Sequence, residues 1–291
     1  MLTTKNTILL SLLGFSSLFA PQTTVLAQST HGSHHHLMIG RDNRQTLDRG
    51  NYAGLPNPNY NRLSLLFPHQ HQPISTSGFH AIGAYSYTGT GSGIATVPTS
   101  TNNRLPEISA RLSPLPLFPD NGVFTGKWVS QATEQNIYSD LKIKPLKHLL
   151  EDINDPFVAA IYNAGNGRWN SLLGDEATIA LELISITPGL QVADEQGNDL
   201  FDQGNTEFIG QGDDLTFTPK FYVDDTAPST IYSATFRFVD TNDSNGRTPF
   251  LPSGTFSFDF QQATIPEPST LFGLGIVGIL SLCSASRKKE L

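Results

Sequence analysis

The sequence has very little cysteine and little charge. Its 291 residues include a single cysteine, Cys283, and only 15% of them are charged. Because this thiol lies near the C-terminus, the main body cannot depend on disulfides, iron–sulfur clusters or a cysteine nucleophile. The formal net charge of −8 excludes a general nucleic-acid-binding role, which needs a basic face to displace counterions. With 38% hydrophobic residues, the chain can still bury a sizeable core.

Common catalytic motifs are also missing. The sequence contains no H-E-x-x-H and no G-x-S-x-G. Residues 273–278 match G-x-G-x-x-G, but no strand precedes them, and small residues in such an apolar segment serve helix packing. We therefore predict a protein that is not an enzyme. A hydrolase assembled from distant strands is the remaining alternative.

Both ends of the chain carry targeting signals. Residues 1–27 predict a secretory signal peptide, with Lys5 before an apolar run and a cleavage site after Ala27. Residues 264–291 combine a Pro-Glu-Pro tripeptide, an apolar run that predicts a single transmembrane helix, and a basic tail. The residues of this predicted sorting signal are Pro266, Glu267, Pro268, Arg287, Lys288 and Lys289. An ordinary C-terminal membrane anchor is the alternative interpretation.

The body between these signals favours short strands. Strands are predicted over residues 63–67, 79–87, 126–129, 138–143, 157–162, 178–186, 215–223, 231–239 and 255–260. Short helices are expected at residues 146–153 and 169–173. In residues 255–260 every second position is Phe, which predicts one buried aromatic face and one polar face in water. The fold class is therefore mainly β, an antiparallel β-sandwich or jelly-roll-like body followed by a C-terminal transmembrane helix.

Composition divides this body into three parts. Residues 28–88 form a His-rich N-terminal part, residues 89–104 a Thr/Ser/Gly-rich loop, and residues 105–263 an acidic β-sandwich part.

Two turn regions in the acidic part could bind Ca²⁺ through oxygen ligands, although such turns commonly serve only as turns. Their residues are Asp194, Glu195, Asn198, Asp199 and Asp202 in the first, and Asp240, Asn242, Asp243 and Asn245 in the second.

Histidines are concentrated near the start of the body. Seven of the eight lie between positions 31 and 80: His31, His34, His35, His36, His69, His71 and His80. Neutral imidazole is a common ligand for Zn²⁺ and similar transition metals. His69 and His71 are two residues apart, so they share one face of an extended segment. The cluster predicts a metal site; a weakly chelating disordered tract and an isolated strand histidine are the alternatives.

Several stretches resemble a known family. Residues 37–40, 52–55, 57–63 and 79–87, with the later stretches 186–190 and 232–240, resemble a cyanobacterial PEP-CTERM family described as repressed by the zinc-uptake regulator. The tail over residues 265–289 resembles the PEP-CTERM sorting signal. The resemblance implies an exosortase-type membrane protease as a partner, removal of the helix, and a part in zinc limitation. It implies no established activity or ligand set.

These observations predict an exported cell-envelope protein that binds zinc through clustered histidines, in zinc scavenging or homeostasis. Its expected partners are the export translocon, the exosortase-type protease and, in some settings, extracellular polysaccharide. We expect it to cross the inner membrane, to be anchored transiently, and then to reside at the cell surface, outside the cell or in the periplasm. The alternative is a structural or adhesive matrix protein whose β body binds carbohydrate or a partner and has no evolved metal site.

Overall fold

Strands make up most of the regular structure. The computed structural model describes residues 36–169 and 172–264. The strands of this part are β1 (Leu37–Arg41), β2 (Leu63–His69), β3 (Gly78–Ile82), β4 (Ser86–Thr88), β5 (Ala95–Val97), β6 (Arg104–Leu105), β7 (Leu115–Pro119), β8 (Lys127–Ser130), β9 (Ile143–Pro145), β10 (Thr178–Ile186), β11 (Gln191–Ala193), β12 (Thr206–Gln211), β13 (Lys220–Asp224), β14 (Tyr232–Asp240) and β15 (Phe256–Gln262). The mainly β prediction is confirmed.

Helical structure in the described residues is short. One α-helix, α1, spans Pro156–Ala164. Single 3-10 turns span Ile74–Thr76, Gly91–Gly93, Ile108–Ala110, Leu146–Leu150, Gly212–Asp214 and Ser244–Gly246. Within residues 36–169 and 172–264, no helix is long and apolar enough to cross a membrane. The predicted signal peptide, the predicted C-terminal helix and all residues of the sorting signal lie outside the described residues.

The strands form two large sheets and one small hairpin. The first sheet has four strands in the order β3-β2-β1-β9. The second has nine, in the order β11-β13-β8-β7-β15-β14-β10-β12, with β6 also paired to β15. Most pairs are antiparallel, as expected, but β9 pairs with β1 in parallel, and β6 and β7 both pair with β15 in parallel. The antiparallel prediction therefore holds for most strand pairs but not for these three, in which segments far apart in sequence lie beside β1 and β15.

The four-stranded sheet is covered on both faces. Ile39 and Phe67 join the main hydrophobic core, which also contains the aromatic side chains of β14 and β15. On the opposite face, Met38 and Leu66 pack against Val158 of α1 and its neighbours. All seven residues of β2 are consequently buried, and the strand reads as an almost continuous apolar run rather than as an alternation.

Strand β15 departs from its predicted pattern. Phe256, Phe258 and Phe260 are fully buried, as expected. However, Ser257 and Asp259 are buried as well, so the predicted water-facing side is wrong. The strand lies inside the sheet, and these polar groups have partners there: the Ser257 hydroxyl lies 2.8 Å from the Thr235 hydroxyl, and Arg104 forms an ion pair with Asp259 at 2.8 Å.

A strand predicted over residues 157–162 is instead the helix α1. The Asp155 carboxylate accepts hydrogen bonds from the backbone N–H groups of Phe157 and Val158 at 2.8 and 3.2 Å, and Pro156 occupies the first turn. An acidic N-cap followed by proline is a strong helix start, and it outweighs the β-branched and aromatic residues that suggested a strand. The apolar side of α1 then covers the outer face of β1 and β2.

Several other expectations change in detail. Of the strand predicted over residues 138–143 only Ile143 lies in a strand, β9, and the strand predicted over residues 215–223 begins only at Lys220. The segment interpreted as a loop over residues 89–104 contains β5, which pairs with β4, and ends at the start of β6. The helix expected at residues 146–153 is a 3-10 turn over Leu146–Leu150. Of residues 169–173, two lie outside the described part and the rest are in turn or irregular backbone.

Asp240, at the end of β14, allows a test of this arrangement. Its carboxylate accepts hydrogen bonds from Arg247 Nη2 at 2.6 Å and from the backbone N–H groups of Phe250 and Thr178 at 3.0 and 3.1 Å. Burial opposes ionisation of Asp240, but these hydrogen bonds outweigh it and lower the pKa below its ordinary value of 3.8.

We expect Asp240→Asn to lower the free energy of unfolding by about 2 kcal/mol at pH 7, because charged hydrogen bonds are lost. A lowered folded pKa means that the contribution is fully present above pH 3.8 and disappears as the pH falls through the folded value. Urea denaturation at several pH values measures this, with the exposed Asp225→Asn as a matched control. A variant as stable as the wild type at pH 7 would contradict the assignment.

Candidate metal centre

The hairpin of β2 and β3 brings two of the predicted histidines together. In this antiparallel pair Phe67 lies opposite His80, and His69 lies opposite Gly78. His69 and His80 are therefore diagonal neighbours on one face of the sheet. Their ring centroids are 4.2 Å apart. Because β3 is the edge strand of the sheet, the His80 side chain remains 49% exposed, whereas that of His69 is 11% exposed.

A buried carboxylate from a distant segment joins these rings. Glu107 follows β6 and immediately precedes a 3-10 turn. Its Oε2 atom lies 2.7 Å from His69 Nε2, and its Oε1 atom lies 2.8 Å from His80 Nδ1. The Glu107 side chain is only 1% exposed. One carboxylate therefore bridges both imidazoles at the margin of the core.

Two further donors hold the carboxylate in place. Asn102 Nδ2 donates to Glu107 Oε1 at 2.7 Å, and the Tyr138 hydroxyl donates to Glu107 Oε2 at 2.9 Å. The Tyr138 ring is buried and stacks on Phe67, with ring centroids 4.4 Å apart. Because Tyr138 and Asn102 come from different segments, the orientation of the carboxylate is fixed by the tertiary fold and not by the hairpin alone.

The electrostatics of this group keep Glu107 ionised. Burial opposes its charge, but the hydrogen bonds from His69, His80 and Asn102 outweigh burial and hold the pKa of Glu107 far below its ordinary value. The hydrogen bond to Glu107 raises the pKa of His80. Burial, together with the negative charge of Glu107, raises the pKa of Tyr138, which remains a hydrogen-bond donor.

His69, His80 and Glu107 each offer a ligand atom, and these atoms lie within 4.8 Å of one another. Elsewhere in residues 36–169 and 172–264, no three His, Cys, Asp or Glu side chains meet this condition. Zn²⁺ takes nitrogen and carboxylate oxygen ligands at about 2.0–2.2 Å. To hold a common ion, the two imidazoles would exchange their hydrogen bonds with Glu107 for bonds to the metal.

The other predicted ligands have different positions. His71 lies outside the triad, although its ring stacks parallel to that of His69 with centroids 5.5 Å apart. Burial and the neighbouring His69 and His80 lower its pKa. His36 is buried just before β1 and is not part of the triad. His31, His34 and His35 lie outside the described residues.

A cleft opens on the triad. Its volume is about 470 Å³, and His69, His71 and His80 line it together with Arg44, Arg49 and Arg168. A second cleft, also lined by His80, contains Asn102 and the exposed Ile108. The triad is therefore accessible from outside the protein, although Glu107 itself is buried.

In each of the two acidic turns considered for calcium, one carboxylate already accepts hydrogen bonds from neighbouring protein groups. The Asp194 carboxylate accepts from the backbone N–H groups of Gln196 and Asn198, each at 2.9 Å. Asp240 is held by Arg247. The Asp194 carboxylate stabilises its own turn, which is the commoner role of such sequences, and the Asp240 carboxylate also accepts from Thr178 at the start of β10.

Ser139 and Lys142 have the S-x-x-K spacing of some hydrolases. The Ser139 hydroxyl, however, donates to backbone carbonyls at Asn136 and Thr133, 2.7 and 3.1 Å away. In this position the hydroxyl stabilises a turn.

Sequence reasoning missed Glu107, Asn102 and Tyr138. Glu107 is one of only nine acidic residues between positions 28 and 172, and no motif surrounds it.

Comparison of the chain with protein-family models, curated proteins and solved structures finds no match in any of the three.

Glu107→Gln tests the network without any metal. We expect the free energy of unfolding to fall by about 3 kcal/mol in the presence of a chelator, because an amide cannot accept from all four donors and a buried ionic contact is broken. Thermal or urea denaturation measures the change. The exposed Glu195→Gln should be neutral, and equal stability of both variants would show that Glu107 does not organise this region.

Proposed function

We propose that this protein binds zinc, or a similar transition metal, through His69, His80 and Glu107. The observation that carries the proposal is the approach of three suitable ligand atoms to within 4.8 Å. Two imidazoles and one carboxylate form a ligand set known from zinc sites that retain an open coordination position. Asn102 and Tyr138 would act as outer-shell partners that orient the carboxylate, as supporting hydrogen bonds commonly do in metal sites.

The cellular role proposed for this site is zinc scavenging or homeostasis in the cell envelope. It is supported by the predicted signal peptide, by the histidine cluster and by the sequence resemblance to a PEP-CTERM family described as repressed by the zinc-uptake regulator. We propose a binding role and no catalysis. The finer fold description proposed for the body is a β-sandwich, since residues of both large sheets join one hydrophobic core.

Calorimetric titration of the purified protein with Zn²⁺ tests the site. We expect one ion per chain in the site, with affinity reduced more than about 100-fold in His69→Ala and in His80→Ala, because each change removes a ligand. Tyr138→Phe keeps the ring and its stacking but loses one hydrogen bond to Glu107, so a loss of about 10-fold is expected. His71→Ala should have a smaller effect than either ligand change, and His148→Ala is the control.

The histidines near the N-terminus require a separate comparison. A variant with His31, His34 and His35 changed to Ala should keep the site affinity. If that variant loses zinc binding, or if the combined His69, His71 and His80→Ala variant binds zinc like the wild type, the folded site is not the binding site. A chain that binds no zinc would leave the Glu107 network with a purely structural role.

We also propose that the protein is exported and processed at both ends. The mature protein recovered from cells should begin near residue 28 and end near the Pro-Glu-Pro tripeptide, because the helix that follows would be removed. Intact-mass measurement of the envelope and secreted fractions tests this. A protein that keeps residues 271–291 would support an ordinary membrane anchor, and one that keeps residues 1–27 would contradict export.

A further inference from the structure

The cleft beside the triad is larger than a metal ion requires. Its volume of about 470 Å³ falls in the range of sites for small organic molecules. Phe79 and Trp169 contribute aromatic surface to it, and the three histidines contribute polar atoms. The cleft wall is therefore mixed, with aromatic rings beside charged and polar side chains, and can contact both the apolar and the charged part of an organic ligand.

The proposed metal ligands leave room for such a molecule. Three protein ligands fill three positions of a tetrahedral zinc ion, and the fourth is then available to water or to an external ligand. His69 and His80 both line the cleft, so a ligand in the cleft could reach that position.

The cleft wall carries three arginines and one carboxylate, that of Asp48, so its net charge favours an anion. Arg44 forms an ion pair with Asp48, and Arg168 donates to the buried Asp42 through Nε at 2.7 Å. Of the three arginines, Arg49 has the weakest contact with a protein carboxylate. Its side chain is 75% exposed, and its Nε atom approaches Asp48 only at 3.5 Å.

We infer that the cleft binds a small organic oxyanion together with the metal. One anionic oxygen would complete the zinc coordination, and a second anionic group would pair with Arg49. The apolar part of the ligand would lie against Phe79 and Trp169. This inference rests on the proposed zinc function, because the ion supplies one of the two contacts for the anion. Carboxylate and phosphate oxygens share the required chemistry.

Calorimetry on the full chain tests the inference, with succinate and methyl phosphate as probes. We expect at least one probe to bind the zinc-loaded protein and neither to bind the metal-free protein. The comparison between them identifies the oxyanion. The neutral 1,4-butanediol should not bind, since it offers no charge to zinc or to Arg49.

Arg49→Gln separates the anion site from the metal site. Zinc affinity should be unchanged in this variant, whereas probe affinity should fall about five-fold, as expected for the loss of a solvent-exposed ionic contact. The control is Lys147→Gln, which removes an exposed cation that does not line the cleft.

The outcomes are distinguishable. Zinc binding without binding of either anion overturns the anion site and leaves the metal site standing. Equal anion binding with and without zinc, or an Arg49→Gln variant with unchanged probe affinity, also overturns it. Absence of zinc binding overturns both proposals.

Discussion

The buried carboxylate of Glu107 is the interaction on which this region of the protein depends. An ionised group with 1% of its side chain exposed is stable only when its oxygens are fully hydrogen bonded. Four side chains supply those bonds, and they come from β2, β3, the segment before β6 and the segment before β9. The Glu107 carboxylate thereby links the edge of the four-stranded sheet to the segments that contain Asn102 and Tyr138.

The layered arrangement explains why the site is both ordered and accessible. Strand β2 is buried on its two faces, which fixes His69 within the fold. Strand β3 is an edge strand, so His80 is half exposed although it contacts the same carboxylate. A metal site needs both properties, because its ligands must be preorganised and the ion must be able to enter. The diagonal pairing of one interior and one edge histidine provides them.

The sequence could predict the fold class and part of the site. Alternation and β-branched composition identified β10 with its observed bounds, and the histidine cluster pointed to His69 and His80. Local patterns could not reveal Glu107, because its role arises only when the segment after β6 crosses the hairpin. The helix α1 was mistaken for a strand because its β-branched and aromatic residues favour strands, whereas the helix start depends on Asp155 and Pro156, which precede them. The buried polar face of β15 was missed since alternation does not show whether a strand is covered on both sides.

The composition of the triad also bears on which cation it would accept. Calcium takes six to eight oxygen ligands, and the triad offers one carboxylate and two imidazoles. Imidazole nitrogen suits zinc, copper, nickel and iron, and the same site would discriminate poorly among them by ligand type alone. Asn102 and Tyr138 both donate to the carboxylate, so they restrict its orientation and thereby the geometry available to the ion. Selectivity would therefore depend on how far Glu107 can move while keeping those two hydrogen bonds, a constraint set by the stacking of Tyr138 on Phe67.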